Sequence, residues 1–370
     1  YRVSFKEENG NTVFNVVQQQ ELSELTGLPG SGGNSVNAVN SDPFVKDNGT
    51  SDYRPAGLFK MPIWFEVHYM DGTIDRKMAW IERQTETVSI PNPSHKTIAF
   101  VLFDPNNEVL KNVTFDKSFT MLKEQSLHAN SILDRFDALV ALRNTPVDQK
   151  RDLLIQIFGK ETFQALKVEA VYQLADDRDV KTIALFRQAI GDKDALVRKS
   201  VLQYVHSIPA EMIPDMEKLL KDPSYENLLL ALDVLSTANP SKTKDYLDMT
   251  KGVTGTVGKN VEVKWLEVAY SSTGDRQYAD KLVEYCSNSY EFRTRANAAQ
   301  ALKRLNYFSS KLVENLVDAV QSPNNRLAGP CGETLKFFYD MDKYHQQIGM
   351  YVASHKWQDW QLQAIHRYVE

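Results

Sequence analysis

Residues Thr97-Ile-Ala-Phe-Val-Leu-Phe103-Asp-Pro-Asn-Asn107 decide how this chain is read, because of what lies on either side of them. Thr97–Phe103 is a nearly unbroken apolar run, the pattern of a strand buried on both faces. Asp104-Pro105-Asn106-Asn107 is a turn sequence. Upstream the apolar residues recur with period 2. Beyond Lys117 they recur with period 3.6.

Upstream, Met61–Tyr69 alternates. Ile63, Phe65, Val67 and Tyr69 fall on one face, with Trp64, Glu66 and His68 on the other. Asp71-Gly72 separates that run from Thr73–Ile81. As a type I′ hairpin pair it predicts positive φ at both residues. Thr12–Gln20 follows an Asn-Gly-Asn turn, Thr85–Ile90 ends at Pro91-Asn92-Pro93, and Glu108–Phe115 completes the set. Short strands separated by turns predict an all-β sandwich over 1–117. A Gly-, Pro- and Asn-rich loop insertion is expected at about 21–55.

Downstream, Ile132, Phe136 and Leu139 form a helical stripe. Thr145-Pro146 opens another helix, with Gly159 expected just past its end. Phe163, Leu166, Ala170 and Leu174 follow, then Val180, Ile183 and Phe186 up to Gly191. Val197, Val201 and Val205 run to Pro209, and Leu228, Leu232 and Leu235 follow Asp222-Pro223. About sixteen helices are expected. One core position per second helix gives Leu174, Val205, Leu235, Tyr270, Leu302 and Phe337, at steps of 31, 30, 35, 32 and 35 residues. That period predicts an all-α superhelical repeat domain over 118–370. It is called HEAT-like because HEAT repeats themselves run about 40–47 residues. Arg198, Lys264, Arg295 and Arg326 fall in the first turns of such helices. They are candidate ligand contacts on a concave face, or else solvated helix ends.

The 370 residues suggest two or three domains at roughly 150 each. The net charge of −5 is not polarised: 11 Lys and Arg oppose 15 Asp and Glu up to residue 117, and 32 oppose 33 beyond it. A nucleic-acid partner is therefore not expected. No apolar run approaches the ~20 residues of a membrane span. With only Cys286 and Cys331, neither a disulfide framework nor a Cys-rich zinc module is expected. A soluble chain of the cytoplasm or a bacterial periplasm fits. Tyr1 follows no initiator Met and no apolar leader, so the chain reads as a mature product or a piece of something longer. The sequons Asn48-Gly49-Thr50 and Asn112-Val113-Thr114 read as chance occurrences.

No catalytic constellation emerges. None of the seven histidines is followed by Glu, so there is no H-E-x-x-H helix. His355 and His366 stand eleven apart, but Trp357-Gln358-Asp359 opens a new helix between them. Asp176, Asp177 and Asp179 lack the Gly and distal Glu of a calcium loop. Gly252-Val-Thr-Gly255-Thr-Val-Gly258-Lys259 has the wrong Gly spacing for a phosphate loop, and Asn260 follows where Ser or Thr is needed. No catalytic, metal or cofactor residue is assigned. Trp357, Trp360 and Tyr368 are expected to cover the open end of the helical array.

Four ordered segments carry a family resemblance: Gly57-Leu-Phe-Lys-Met-Pro-Ile-Trp-Phe-Glu-Val67, Asp71-Gly72, Phe103-Asp-Pro-Asn-Asn107, and Ser131-Ile-Leu-Asp-Arg-Phe-Asp-Ala-Leu139 within Phe119–Leu142. Together they resemble the C-terminal half of the aminopeptidase N-like zinc metallopeptidases, the gluzincins. In that family a catalytic domain precedes a small β-sandwich and a helical HEAT-like domain. The resemblance implies a non-catalytic region that braces the catalytic domain and gates peptide entry. The implied partners are that N-terminal domain and the parent's peptide substrate, and the implied zinc lies in the missing domain. The family's zinc ligands, general-base Glu and G-x-M-E-N segment match no position here, so no catalytic residue carries over. The alternative is an interaction scaffold from a catalytically inactive member.

Overall fold

A computed structural model describes residues 1–19 and 58–369. The insertion expected at 21–55 and the sequon at Asn48 lie outside the described residues. The chain divides into two compact units, Tyr1–Ala170 and Val171–Glu370.

The first unit opens with two sheets. Strands β1 (Arg2–Glu8), β2 (Asn11–Val17), β5 (Thr85–Pro91) and β7 (Thr114–Phe115) form one, in the order β5-β2-β1-β7. Strands β3 (Met61–Tyr69), β4 (Ile74–Ile81) and β6 (Ile98–Phe103) form the other, in the order β4-β3-β6. All pairings are antiparallel except β1 with β7. The alternation read in Met61–Tyr69 is realised: Ile63, Phe65, Val67 and Tyr69 are buried in the core between the sheets, with Phe14, Val16, Val88, Ile90 and Phe103. Phe65 packs edge-on to Phe14 at 5.1 Å and to Phe103 at 5.4 Å. Such aromatic pairs add to plain area burial.

β6 is buried on both faces, as its apolar run predicts. Val101 and Phe103 face the sheets' core, while Phe100 and Leu102 pack with Ala129 and Met121. Helix α1 (Phe119–His128) supplies this second cover. Helices α2 (Ile132–Ala141) and α3 (Val147–Lys160) follow.

Three expectations need correction. Asp71-Gly72 does not form a type I′ turn, because only Gly72 has positive φ, at 83°. Instead Asp71 Oδ1 accepts the Thr73 N–H at 2.9 Å and its hydroxyl at 2.6 Å, so a side-chain-bridged loop closes the hairpin. Glu108–Phe115 is a strand only at Thr114–Phe115. Asp104 and Lys111 hold the preceding residues in a loop, as described below. Gly159 lies inside α3, which runs to Lys160. β1 has only Val3 and Phe5 as apolar markers and was not legible in the sequence.

The remaining helices are α4 (Gln164–Leu174), α5 (Val180–Ile190), α6 (Ala195–Tyr204), α7 (Ile213–Met216), α8 (Tyr225–Ala238), α9 (Thr243–Thr250), α10 (Asn260–Thr273), α11 (Arg276–Tyr285), α12 (Phe292–Arg304), α13 (Ser310–Val320), α14 (Asn325–Tyr339), α15 (Asp342–Ala353) and α16 (Asp359–His366). The chain is thus a two-sheet β region followed by sixteen α-helices among the described residues. In the second unit, α10 to α16 share one core that includes Leu282, Leu302, Leu316, Leu335 and Ile365. Tyr368 ends this packing against α14. A Cβ added to Gly332 would lie 2.3–2.5 Å from its ring atoms, so a bare backbone is required there.

Candidate functional site

A cleft lined by both charged and apolar side chains lies within the first unit, where the end of β6 meets α1 and α2. Three non-glycine residues leaving β6 take left-handed φ: Asp104 at 54°, Asn106 at 68° and Asn107 at 55°. Asn and Asp tolerate this region best, because their short side chains bond locally. Asp104 does so. Its buried carboxylate accepts the Val109 N–H at 2.9 Å and pairs with the Lys111 ammonium, itself almost wholly buried. Lys111 also donates to Asn107 Oδ1 and to the Val109 carbonyl, both at 3.1 Å.

This turn is fastened to α2. The Asn106 N–H lies 3.3 Å from both carboxylate oxygens of Asp134. Asn107 Nδ2 donates to Asp137 Oδ2 at 2.9 Å. Asp134 and Asp137 are three residues apart on one helix face. The helix start is set by Ser131, whose hydroxyl accepts the Leu133 N–H at 3.2 Å. Gln125 of α1 is buried and joins the layers. It donates to the Asp134 carbonyl at 2.7 Å and accepts from Lys117 Nζ at 2.6 Å. The same ammonium lies 4.7 Å from the centre of the Phe115 ring.

These groups line a cleft of about 400 Å³, whose apolar wall includes Leu102, Phe103, Val113, Phe115 and Leu122. Burial dominates its electrostatics. Removal from water pushes the Asp134 carboxyl up to about 6, and the neighbouring Asp137 and Glu66 charges add to this against the Asn106 N–H and Lys117. Burial likewise pulls Lys117 down to about 8, against the attraction of Asp134 and Asp137. Among the described residues neither Asp134 nor Lys117 has a salt-bridge partner, although each feels the other's field. Perturbed groups converging on a cleft mark it as a candidate site. Asp134 was visible only as part of the quoted motif, and Lys117 not at all, since nothing local separates them from surface charges.

The four basic residues expected on a concave face have separate fates. Arg198 forms a fork with Asp222, at 2.6 and 2.8 Å, and also binds the Asp192 and Lys193 carbonyls at 2.8 and 3.0 Å. Arg295 is buried. It donates to Asp318 at 2.7 Å and to the Cys286 carbonyl at 3.0 Å. Lys264 lies between Asp233 at 3.1 Å and Glu267 at 3.0 Å. Arg326 is exposed.

Arg198 and Arg295 share a register that the sequence reading missed. Each stands four residues after its N-cap, Asp194 or Glu291, and reaches a carboxylate 23 or 24 residues further on. Arg135 repeats the device. It lies four after Ser131, forks to Glu161 at 2.7 and 3.3 Å, and binds the Ala129 and Asn130 carbonyls. Lys264 is five after its cap and Arg326 only two, so both are out of this register. Counting from the caps, rather than from the apolar stripe, would have found Arg135.

Several of the histidines and aspartates have structural partners. His68 stacks on Phe100 at 4.1 Å, and its Nε2 lies 2.9 Å from Glu66. His355 and His366 do line one cleft, of about 480 Å³, with Tyr339, Trp357 and Leu362. Among the described residues no group of three His, Cys, Asp or Glu is placed to hold a metal. Asp179 caps α5, and Asp177 accepts from Thr182. In the glycine-rich segment, Asn260 accepts from Thr256, and Lys259 pairs with Glu262 at 3.0 Å. Both cysteines are buried, and burial pushes both thiols up, Cys331 to about 12. Among the described residues, no helix is long and apolar enough to cross a membrane.

No family model matches this chain, and no curated protein matches it. Among solved structures it is similar to Legionella pneumophila aminopeptidase A, determined in complex with aspartic acid, at 12% identity and a TM-score of 0.45. The match covers 98% of this chain and 48% of that one, so the chain spans about half the length of the neighbour. A likeness at that identity and score decides nothing about function.

Proposed function

We propose that this chain is the non-catalytic portion of a larger zinc aminopeptidase of the gluzincin type. In this reading the sheets brace an N-terminal catalytic domain of the same protein, and that domain carries the zinc. HEAT-like helical repeats restrict which peptides reach the cleft. The supporting observation is where the four resembling segments lie. Met61–Val67 is in β3, Asp71-Gly72 closes the hairpin, Phe103–Asn107 leaves β6, and Ser131–Leu139 starts α2. The last two are bonded to each other through Asn106–Asp134 and Asn107–Asp137. The recurring link from Arg135, Arg198 and Arg295 to later carboxylates supports the repeat reading, since neighbouring helices of a solenoid need one interface many times over. Of the four basic residues expected as ligand contacts on a concave face, Arg326 is the one exposed.

The test is direct. The purified chain is assayed for bound zinc and for hydrolysis of fluorogenic aminoacyl amides. Neither is expected, and stoichiometric zinc or turnover overturns the reading. The gene upstream of Tyr1 is expected to encode H-E-x-x-H. Its absence there would replace the catalytic parent with an inactive family member serving as a scaffold.

A further inference from the structure

We propose that the cleft between β6, α1 and α2 binds a zwitterionic α-amino acid with an apolar side chain, its ammonium between Asp134 and Asp137 and its carboxylate on Lys117. The inference does not rest on the aminopeptidase reading.

The charged groups of the cleft only partly satisfy one another. Asp104 and Lys111 satisfy each other and drop out of the account. Asp134, Asp137 and Lys117 remain. Asp134 is only 6% exposed, yet its carboxylate has a single donor, a backbone N–H shared at 3.3 Å. A buried carboxylate with good partners usually accepts two or three. Lys117 Nζ spends one of its three N–H groups on Gln125. A direct Asp134–Lys117 bridge would satisfy both, and the fold does not make it. Glu66, whose charge also reaches Asp134, is already engaged by Arg76 and His68. Two carboxylates and one ammonium therefore look into the same space with capacity left over.

Ligand class follows from those signs. A simple cation would meet the Lys117 ammonium, and a simple anion would meet two carboxylates. A ligand carrying both charges places each against its opposite. The walls add an apolar requirement through Phe103, Val113, Phe115 and Leu122, and 400 Å³ lies within the usual range for small-ligand sites. Position 134 also breaks a local rule. An asparagine there would accept the Asn106 N–H without burying a charge, and unfavourable choices of this kind concentrate at functional sites.

The whole chain is titrated calorimetrically at pH 7.5 with L-leucine, N-acetyl-L-leucine and L-leucinamide. Leucine is expected to bind. The two capped analogues, each lacking one charge, are expected to bind at least about tenfold more weakly, as losing one charged hydrogen bond implies. Asp134→Asn and Lys117→Met should each weaken leucine by a similar factor, with folding checked by circular dichroism and thermal melting. The analogue arm needs no mutation, so a misfolded variant does not leave the question open. The proposal is overturned if leucine gives no binding heat at millimolar concentration. It is equally overturned if the capped analogues bind as tightly as leucine, or if both folded variants bind it unchanged.

Discussion

Replacing Asp134 by Asn should make the protein more stable at neutral pH. In the fold this carboxyl titrates at about 6, against 3.8 for the free group, chiefly because it is buried. The native state therefore holds its proton over a range where the unfolded chain has released it. Stability falls as pH rises from about 3.8 to about 6, and stays at the lower level above that. At about 1.36 kcal/mol per unit, the gap corresponds to about 3 kcal/mol. Water reaching the open cleft screens part of this, leaving about 1–2 kcal/mol as the expected gain. Asn keeps an acceptor for the Asn106 N–H, so the fastening between turn and helix survives. Urea denaturation of both proteins at pH 4 and pH 7.5, without ligand, measures the effect. The variant should be more stable at pH 7.5, and the difference should shrink toward zero near pH 4. A variant that is less stable at pH 7.5, or a difference independent of pH, would refute the burial argument. The same substitution is expected to weaken amino-acid binding, so stability and binding should move in opposite directions.

Arg198→Met removes the fork to Asp222 and leaves that buried carboxylate with only the Ser224 N–H at 2.8 Å and the neutral Asn227 side chain. The expected cost is about 3–5 kcal/mol in urea denaturation, with Arg198→Lys intermediate because it keeps the charge and loses the fork. The Arg198 link lowers the Asp222 carboxyl, although burial, the largest single influence, opposes it. That contribution to stability is present above the ordinary carboxylate value and is lost as pH falls below it through the folded value. Gly332→Ala drives a methyl group into Tyr368 and should cost about 1–3 kcal/mol. In a double-mutant cycle most of that cost should vanish once Tyr368→Ala has been introduced, and additivity would show that the contact is unimportant.

Periodicity and local chemistry made much of the fold legible. Met61–Tyr69 has one apolar face because a strand repeats every two residues, and that face is the one buried. Thr97–Phe103 has no polar face because it has no wet one. Gly191 ends α5, and Asp194 caps the helix of Arg198, through bonds that reach only a few residues. The Asp71-Gly72 turn was misread because Asp71 bonds to Thr73 instead of turning its backbone left-handed. Glu108–Phe115 was misread because Asp104, several residues away, holds Val109 and Lys111 in a loop.

What the sequence determined by itself is therefore the kind and order of most elements, β1 excepted: strands first, then helices from Phe119. Those signals are carried by neighbours along the chain. Tertiary structure alone decided which charges matter. Arg198 and Arg295 meet carboxylates on later elements, 24 and 23 residues away, while Arg326 stays exposed. Asp134 and Lys117 look like any other acid and base in the sequence. They become distinctive only when α1, α2 and the end of β6 close around them, because the cost of a charge depends on how much water the folded chain leaves beside it.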